Sequence, residues 1–220
     1  MANILNIETA TTNCSVAISK DDKLLSLVEE DSKMYSHAEQ LHLFIEKALK
    51  EAKLDKKDLS AVAISKGPGS YTGLRIGVST AKGIAYALDI PLISVSTLKS
   101  LASQVKNTDF IIPMIDARRM EVYTQIFNSN TEELNKIDAK ILDESSYSDL
   151  LNSRSKICFI GNGSKKFKNI IEVRDNLDFI SSNPSAREMV PISSQKNKLQ
   201  LFEDVAYFEP FYLKDFVAGR

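Results

Sequence analysis

The sequence predicts an α/β fold built from two related halves, and three observations carry that expectation. Apolar runs at strand spacing alternate with amphipathic helical stretches along the chain. The succession of the first half, β-β-β-α-β-α-β-α, returns in abbreviated form in the second. The 220 residues suit one large domain or two small ones at ~150 residues per domain.

The elements follow in order. Residues 3–9 read as a strand through Ile4, Leu5 and Ile7. Residues 14–20 alternate weakly, Asp21-Asp22-Lys23 is turn-like, and residues 24–30 resume a strand, which together make an antiparallel meander. Ser36-His37-Ala38-Glu39 is a capping-box pattern. It opens an amphipathic helix with Leu41, Ile45, Ala48, Leu49 and Ala52 on one stripe and Lys47, Lys50, Glu51 and Lys53 on the other. Residues 59–65 are a buried strand, residues 74–88 a helix ended by Asp89-Ile90-Pro91, 92–95 a strand and 97–105 a helix.

The second half opens with a strand at 110–115, which Asp116-Ala117-Arg118-Arg119 turns back into 121–127. A third strand spans 136–142, a short helix 145–151, and a further strand 157–160 ends in Gly161-Asn162-Gly163 before the helical stretch 164–171. Residues 172–195, with Asn183-Pro184 and Pro191, read as irregular. A final helix runs through Leu199, Phe202, Val205 and Ala206. The halves divide as 1–105 and 106–220, with the last helix packing back on the first half.

Composition excludes several classes. The 28 Lys and Arg against 29 Asp and Glu leave a net charge of -1, which argues against a basic nucleic-acid binder working alone and against an acidic disordered tail. Cys14 and Cys158 lie in apolar runs, where buried free thiols in a reducing cytosol are expected. Residues 1–16 contain no basic segment of the kind that opens a signal peptide, and no apolar run approaches the ~20 residues of a membrane span, so a cytoplasmic protein is expected.

Five of the 8 glycines (Gly67, Gly69, Gly73, Gly77 and Gly83) fall in one short stretch. Gly67-Pro68-Gly69-Ser70 joins a strand to a helix, where backbone N–H groups can hold an anion and Ser70 can cap the helix. A phosphate or acyl cradle and a tight strand-to-helix turn both fit this spacing. The stretch is neither a P-loop nor a dinucleotide fingerprint. The helix beyond it shows three stripes: apolar Leu74, Val78, Ala81, Ala85 and Leu88; polar Arg75, Ser79, Lys82 and Tyr86; and small or apolar Gly73, Gly77, Thr80, Ile84 and Ala87. A glycine inside a helix costs ~1 kcal/mol relative to alanine, so close approach by another helix or a partner is the expected compensation.

Catalytic groups are sparse. His37 and His42 are five residues apart, ~140° around a helix, which does not suit one metal. An actin-like or sugar-kinase-like ATPase would begin with a strand ending in Asp and a glycine-containing turn. Ile7-Glu8-Thr9-Ala10-Thr11-Thr12 has Glu instead and no glycine, although the hydroxyls of Thr9, Thr11 and Thr12 remain available to a phosphate, with Gly67, Gly69 and Ser70 from the later loop. The second half has Asp116-Ala117-Arg118-Arg119 where an Asp-Gly-Gly-type turn would stand.

Gly67-Pro68-Gly69-Ser70-Tyr71-Thr72-Gly73-Leu74-Arg75-Ile76-Gly77, continuing to Ala81-Lys82-Gly83, strongly resembles the signature of the TsaB (YeaZ) family. The likeness extends to residues 3–16, His37, residues 91–98, Asp116-Ala117-Arg118, Glu121-Val122-Tyr123 and Phe211-Tyr212-Leu213-Lys214. The resemblance implies a two-lobed actin-like ATPase (ASKHA, ribonuclease H-like) fold with an abbreviated second lobe. It implies a non-catalytic scaffold and activator for threonylcarbamoyladenosine modification of tRNA, docked on a TsaD-type catalytic paralogue. A TsaE-type ATPase, a homodimer in the partner's absence, ATP or ADP at the partner interface, and tRNA met mainly through the complex are further implications. Gly73, Arg75, Gly77, Thr80, Ile84 and Ala87, on the first lobe, are the expected interface residues. No metal and no catalytic residue is carried over, and an active hydrolase, as ATPase or peptidase, is the competing reading.

Overall fold

In the computed structural model, residues 1–31 and 37–214 are described, and the expected cap Ser36 lies outside them. The chain forms two compact units. The first comprises Met1–Ser100 and Pro184–Tyr212; the second comprises Leu101–Asn183 and the chain from Leu213. The first unit therefore receives a return segment, as expected of the last helix, and that segment begins already at Pro184.

The first unit begins with β1 (Asn3–Glu8), β2 (Asn13–Lys20) and β3 (Lys23–Asp31), paired as antiparallel neighbours. Helix α1 (His37–Ala52) buries Leu41, Ile45, Ala48 and Leu49, the apolar stripe expected of it. Strand β4 (Ala61–Gly67) pairs parallel with β1, helix α2 (Tyr71–Leu88) follows, and β5 (Leu92–Ser96) pairs parallel with β4. The sheet order is β3-β2-β1-β4-β5. Period-2 alternation sends Leu5, Ile7, Val16, Ile18, Val62 and Ile64 into the cluster shared with α1 and α2, and Ile4, Ala17, Ala61, Ala63 and Val95 to the opposite face.

Helix α3 (Thr97–Ala102) leads into the second unit. Its strands are β6 (Phe110–Asp116), β7 (Glu121–Thr124), β8 (Phe127–Asn128), β9 (Asp138–Ile141), β10 (Ile157–Ile160) and β11 (Leu177–Ile180), with short helices α4 (Ser148–Leu151) and α5 (Ser164–Lys168). The order β11-β10-β6-β7-β9, with β8 also on β6, repeats the first sheet: β6 answers to β1, β7 to β2, β9 to β3, β10 to β4 and β11 to β5. Parallel and antiparallel pairings repeat as well. Phe159 and Phe167 meet edge to face in its core, with ring centroids 5.0 Å apart.

The last helix, α6 (Ala186–Lys198), closes the open face of the first sheet, burying Ala186, Met189 and Val190. This corrects two expectations. The stretch 172–195 holds β11 and most of α6, and the helix expected through Leu199 to Ala206 is absent. Ser185 caps α6 by accepting the Arg187 N–H, and the misleading Pro191 is exposed within it. Much of the docking is polar. The Ser193 hydroxyl donates to Asn6 Oδ1 at 2.6 Å, Lys196 Nζ to the Ser94 carbonyl at 2.7 Å, and Ser185 Oγ to Glu29 Oε2 at 2.6 Å. Cys14 and Cys158 are free and buried. Among the described residues no helix is long and apolar enough to cross a membrane.

Candidate functional site

The two sets of candidates from the first half converge, although about 60 residues separate them. The turn after β1 (Thr9 to Thr12) lies against the β4–α2 loop. The Ser70 N–H donates to the Ala10 carbonyl at 2.7 Å. Side chains on three of the glycines would collide with this turn. A Cβ on Gly69 would meet the Ala10 carbonyl, one on Gly73 the Thr9 carbonyl, and one on Gly77 the Thr9 hydroxyl. A fourth glycine, Gly67, has φ +108°, in the region that favours glycine, and a Cβ there would stand 2.8 Å from the Phe211 carbonyl. The Ser70 side chain caps α2 by accepting the Gly73 N–H at 3.2 Å.

This geometry decides what the glycines do. Gly73 and Gly77 are buried against Thr9, so they offer no surface to a partner, which corrects their placement on an interface stripe. The close approach at Gly69 is taken by Ala10, as the tight-turn reading requires. Gly83 meets nothing within 4 Å. Of the remaining interface candidates, Arg75 and Ala87 are exposed, while Thr80 and Ile84 are half-buried, Ile84 against the core.

The hydroxyls of the turn are largely engaged or enclosed. Thr9 and Thr11 are buried. Thr11 Oγ1 accepts the Asn13 N–H at 3.4 Å, and Thr12 Oγ1 donates to Asp31 Oδ1 at 2.6 Å. His37, at the start of α1, donates from Nε2 to the Thr11 carbonyl at 2.7 Å, and burial lowers its pKa. That contact gives His37 a structural task and removes it from any pairing with His42. Among the described residues no group of three His, Cys, Asp or Glu side chains is placed to hold a metal ion.

Sequence reasoning marked Glu8 only as a replacement for Asp. The side chain is fully buried, and Oε1 accepts the Ala10 N–H at 2.7 Å. Oε2 has no partner among the described residues. Burial pushes its pKa up to about 7, the Glu188 carboxylate of α6 adds to the rise, and hydrogen bonds from Ala10, Ser65 and Thr9 oppose it. An acidic residue at the end of an otherwise apolar strand was the available signal.

A second arrangement was not foreseen. Arg75 lies 4.1 Å from the Tyr71 ring centroid and donates from Nε to the Tyr212 hydroxyl at 3.2 Å. Two turns further along α2, Lys82 Nζ donates to the carbonyls of Ala206 and Phe208 at 3.1 and 2.9 Å. The Phe211 N–H reaches the Lys66 carbonyl at 2.7 Å. Residues 204–212 are thus strapped along α2, and the face of α2 open to solvent is shared with this strap, including the exposed Tyr86 and Tyr207.

Comparison with known proteins agrees over nearly the whole chain. The family profile described as TsaD, tRNA N6-adenosine threonylcarbamoyltransferase, matches residues 32–219. The tRNA threonylcarbamoyladenosine biosynthesis protein TsaB of Bacillus subtilis (strain 168) is 30% identical, over 96% of this chain and 93% of that protein. The TsaB of Buchnera aphidicola subsp. Acyrthosiphon pisum is 33% identical, over 92% and 94%. Among solved structures, YeaZ from Pseudomonas aeruginosa superposes with a TM-score of 0.84 at 23% identity, covering 97% of this chain and all of that one. The activator of 2-hydroxyisocaproyl-CoA dehydratase from Clostridium difficile, with bound ADPNP, gives 0.52 at 9% identity over 98% of this chain and all of its own. These likenesses in fold, with the repeated sheet order, identify the two-lobed actin-like ATPase (ASKHA) class. The chain belongs to the TsaB (YeaZ) family.

Proposed function

We propose that this chain is a cytoplasmic, non-catalytic subunit of the machinery that makes threonylcarbamoyladenosine in tRNA, docking on a TsaD-type catalytic paralogue through its first unit. Membership of the TsaB family supports the pathway. The observation that carries the supporting role is the turn after β1. It is filled by the chain's own α2, with Gly69, Gly73 and Gly77 spent on admitting Thr9 and Ala10. A loop packed in this way stiffens a surface. The docking face is then the outer side of α2 (Arg75, Thr80, Gly83, Ile84 and Ala87) together with the strap residues Tyr207 and Tyr212. In this reading a TsaE-type ATPase joins the assembly, ATP or ADP binds at the partner interface, the chain pairs with itself when the partner is absent, and tRNA is met mainly through the complex.

The test is co-elution with the cognate TsaD-type protein on size exclusion, for the parent chain and for Ile84→Arg. An interface of standard size buries ~800 Å² per partner, and a charge in it is expected to weaken the complex at least tenfold. Separate peaks for the parent, or an Ile84→Arg chain that still supports tRNA modification in full, would replace this reading. The buried Glu8 favours a hydrolase instead, because a carboxyl titrating near 7 suits proton transfer. Steady ATP or peptide turnover by the isolated chain, lost in Glu8→Gln, would establish that alternative.

A further inference from the structure

The repeated sheet order makes the β6–β7 connection the counterpart of the β1–β2 turn. The two connections have opposite fates. The β1–β2 turn is enclosed, whereas Arg118, Arg119 and Met120 are exposed. Arg118 and Arg119 have φ of 71° and 48°, two successive left-handed residues. This conformation is disfavoured for side chains other than glycine, asparagine and aspartate, and the Glu121 N–H closes the turn on the Arg118 carbonyl at 3.1 Å.

The turn is nonetheless held firmly. Asp116 Oδ1 accepts the Arg118 N–H and Lys166 Nζ, each at 2.6 Å. The Asp116 N–H donates to Asn162 Oδ1 at 2.8 Å, and Lys166 Nζ also reaches the Glu121 carbonyl at 3.0 Å. Lys214 pairs with the Glu121 carboxylate. Both carboxylates of the hairpin are therefore neutralised by lysines from elsewhere in the chain. Among the described residues neither arginine takes part in an ion pair. Arg118 and Arg119 are thus left without a carboxylate partner among the described residues, in a chain whose net charge is -1. Asp143 and Glu144 bound the patch beside Met120, where the Leu142 N–H donates to the Met120 carbonyl at 2.7 Å. The cationic footprint is thus small, two guanidinium groups wide.

We infer that this hairpin is a contact for the phosphodiester backbone of RNA, with Arg118 and Arg119 each engaging a phosphate and Lys166 and Lys214 holding the turn in place. The inference rests on the proposed role in tRNA modification and adds to it a direct RNA contact by this subunit. Guanidinium groups match phosphate oxygens two at a time, and such contacts fix position without reading sequence.

The decisive variant is Arg118→Asn with Arg119→Gly. It removes both charges and supplies residues that tolerate the left-handed conformation, so its thermal midpoint is expected to equal or exceed that of the parent. Binding of a tRNA transcript is measured by fluorescence anisotropy between 50 and 200 mM salt, with the full chain alone and in its complex with the TsaD-type protein. Each phosphate contact contributes roughly 0.7–0.9 to the slope of log K against log salt, so the slope is expected to fall by about 1.5. The double lysine variant, Arg118→Lys with Arg119→Lys, is expected to keep most of that slope. A folded Asn-Gly variant with an unchanged slope overturns the inference. So does an unchanged slope with loss of the TsaD-type complex, which would make the hairpin a protein contact, or with loss of ATP binding, which would assign it to a free nucleotide. Failure of the parent chain to form the complex refutes the docking proposal instead, and the slope measured on the chain alone still decides this one.

Discussion

Glu8 couples this fold to pH. Its carboxyl titrates near 7 when folded and near 4.5 in the open chain. Below about 4.5 both forms hold the proton; between the two values only the folded chain does. Stability therefore falls as pH rises through that window and stays lower above it. At ~1.4 kcal/mol per pH unit the loss from this residue is about 3 kcal/mol. Glu8→Gln has no proton to lose. Its stability relative to the parent, followed by thermal melts from pH 5 to pH 8, is expected to climb by about that amount. A difference that does not vary with pH would remove burial of the carboxyl as its cause. The neighbouring Glu188, also raised by burial, adds a smaller change of the same sign.

Helix α2 supplies the contrast at the scale of an element. Gly73 and Gly83 sit on the same helix, yet one admits a carbonyl and the other faces open space. Gly73→Ala is expected to destabilise by about 1–3 kcal/mol, because its Cβ must displace the Thr9 backbone. Gly83→Ala is expected to stabilise the free chain by up to about 1 kcal/mol through helix propensity. Urea denaturation of the pair reads both signs, and equal effects would refute the account. The stripes of α2 were legible because its cap and its 3.6-residue period are local properties. The partner of its glycines was not legible, since that partner is a backbone carbonyl about 60 residues upstream. Helix α6 shows the same limit. Its buried positions (Ala186, Met189, Val190, Ser193 and Ser194) keep perfect helical spacing. Serines stand where apolar residues are expected, and the hydroxyl of Ser193 is matched by Asn6 on the sheet as well as by the Val190 carbonyl of its own helix.

For the whole molecule, the repeated sheet order was foreshadowed by the abbreviated second half, and so was the return of a last helix to the first unit, although that helix is α6 and lies earlier in the chain than expected. A chain ending at residue 183 retains every strand of both sheets but leaves Ile4, Ala17, Ala63, Ile93 and Val95 without the cover of α6. It is expected to bind a hydrophobic dye and to lose the cooperative melt of the first unit. A sharp, dye-free transition would show that α6 is dispensable. Of the phosphate-loop candidates, Gly69 and Ser70 meet the turn at Ala10 as packing partners, and the glycines that meet Thr9 are Gly73 and Gly77, expected on an interface stripe.

The split assembly of the first unit also sets an order of events on the ribosome. Residues 101–183 form the body of the second unit and are all synthesised before residue 184 appears. At about 5–20 residues per second, those roughly 80 residues take on the order of 10 s. For that time the nascent sheet of the first unit waits with one apolar face bare. The later-synthesised unit can thus finish folding first, and the waiting face is the surface that a trigger-type chaperone has reason to cover.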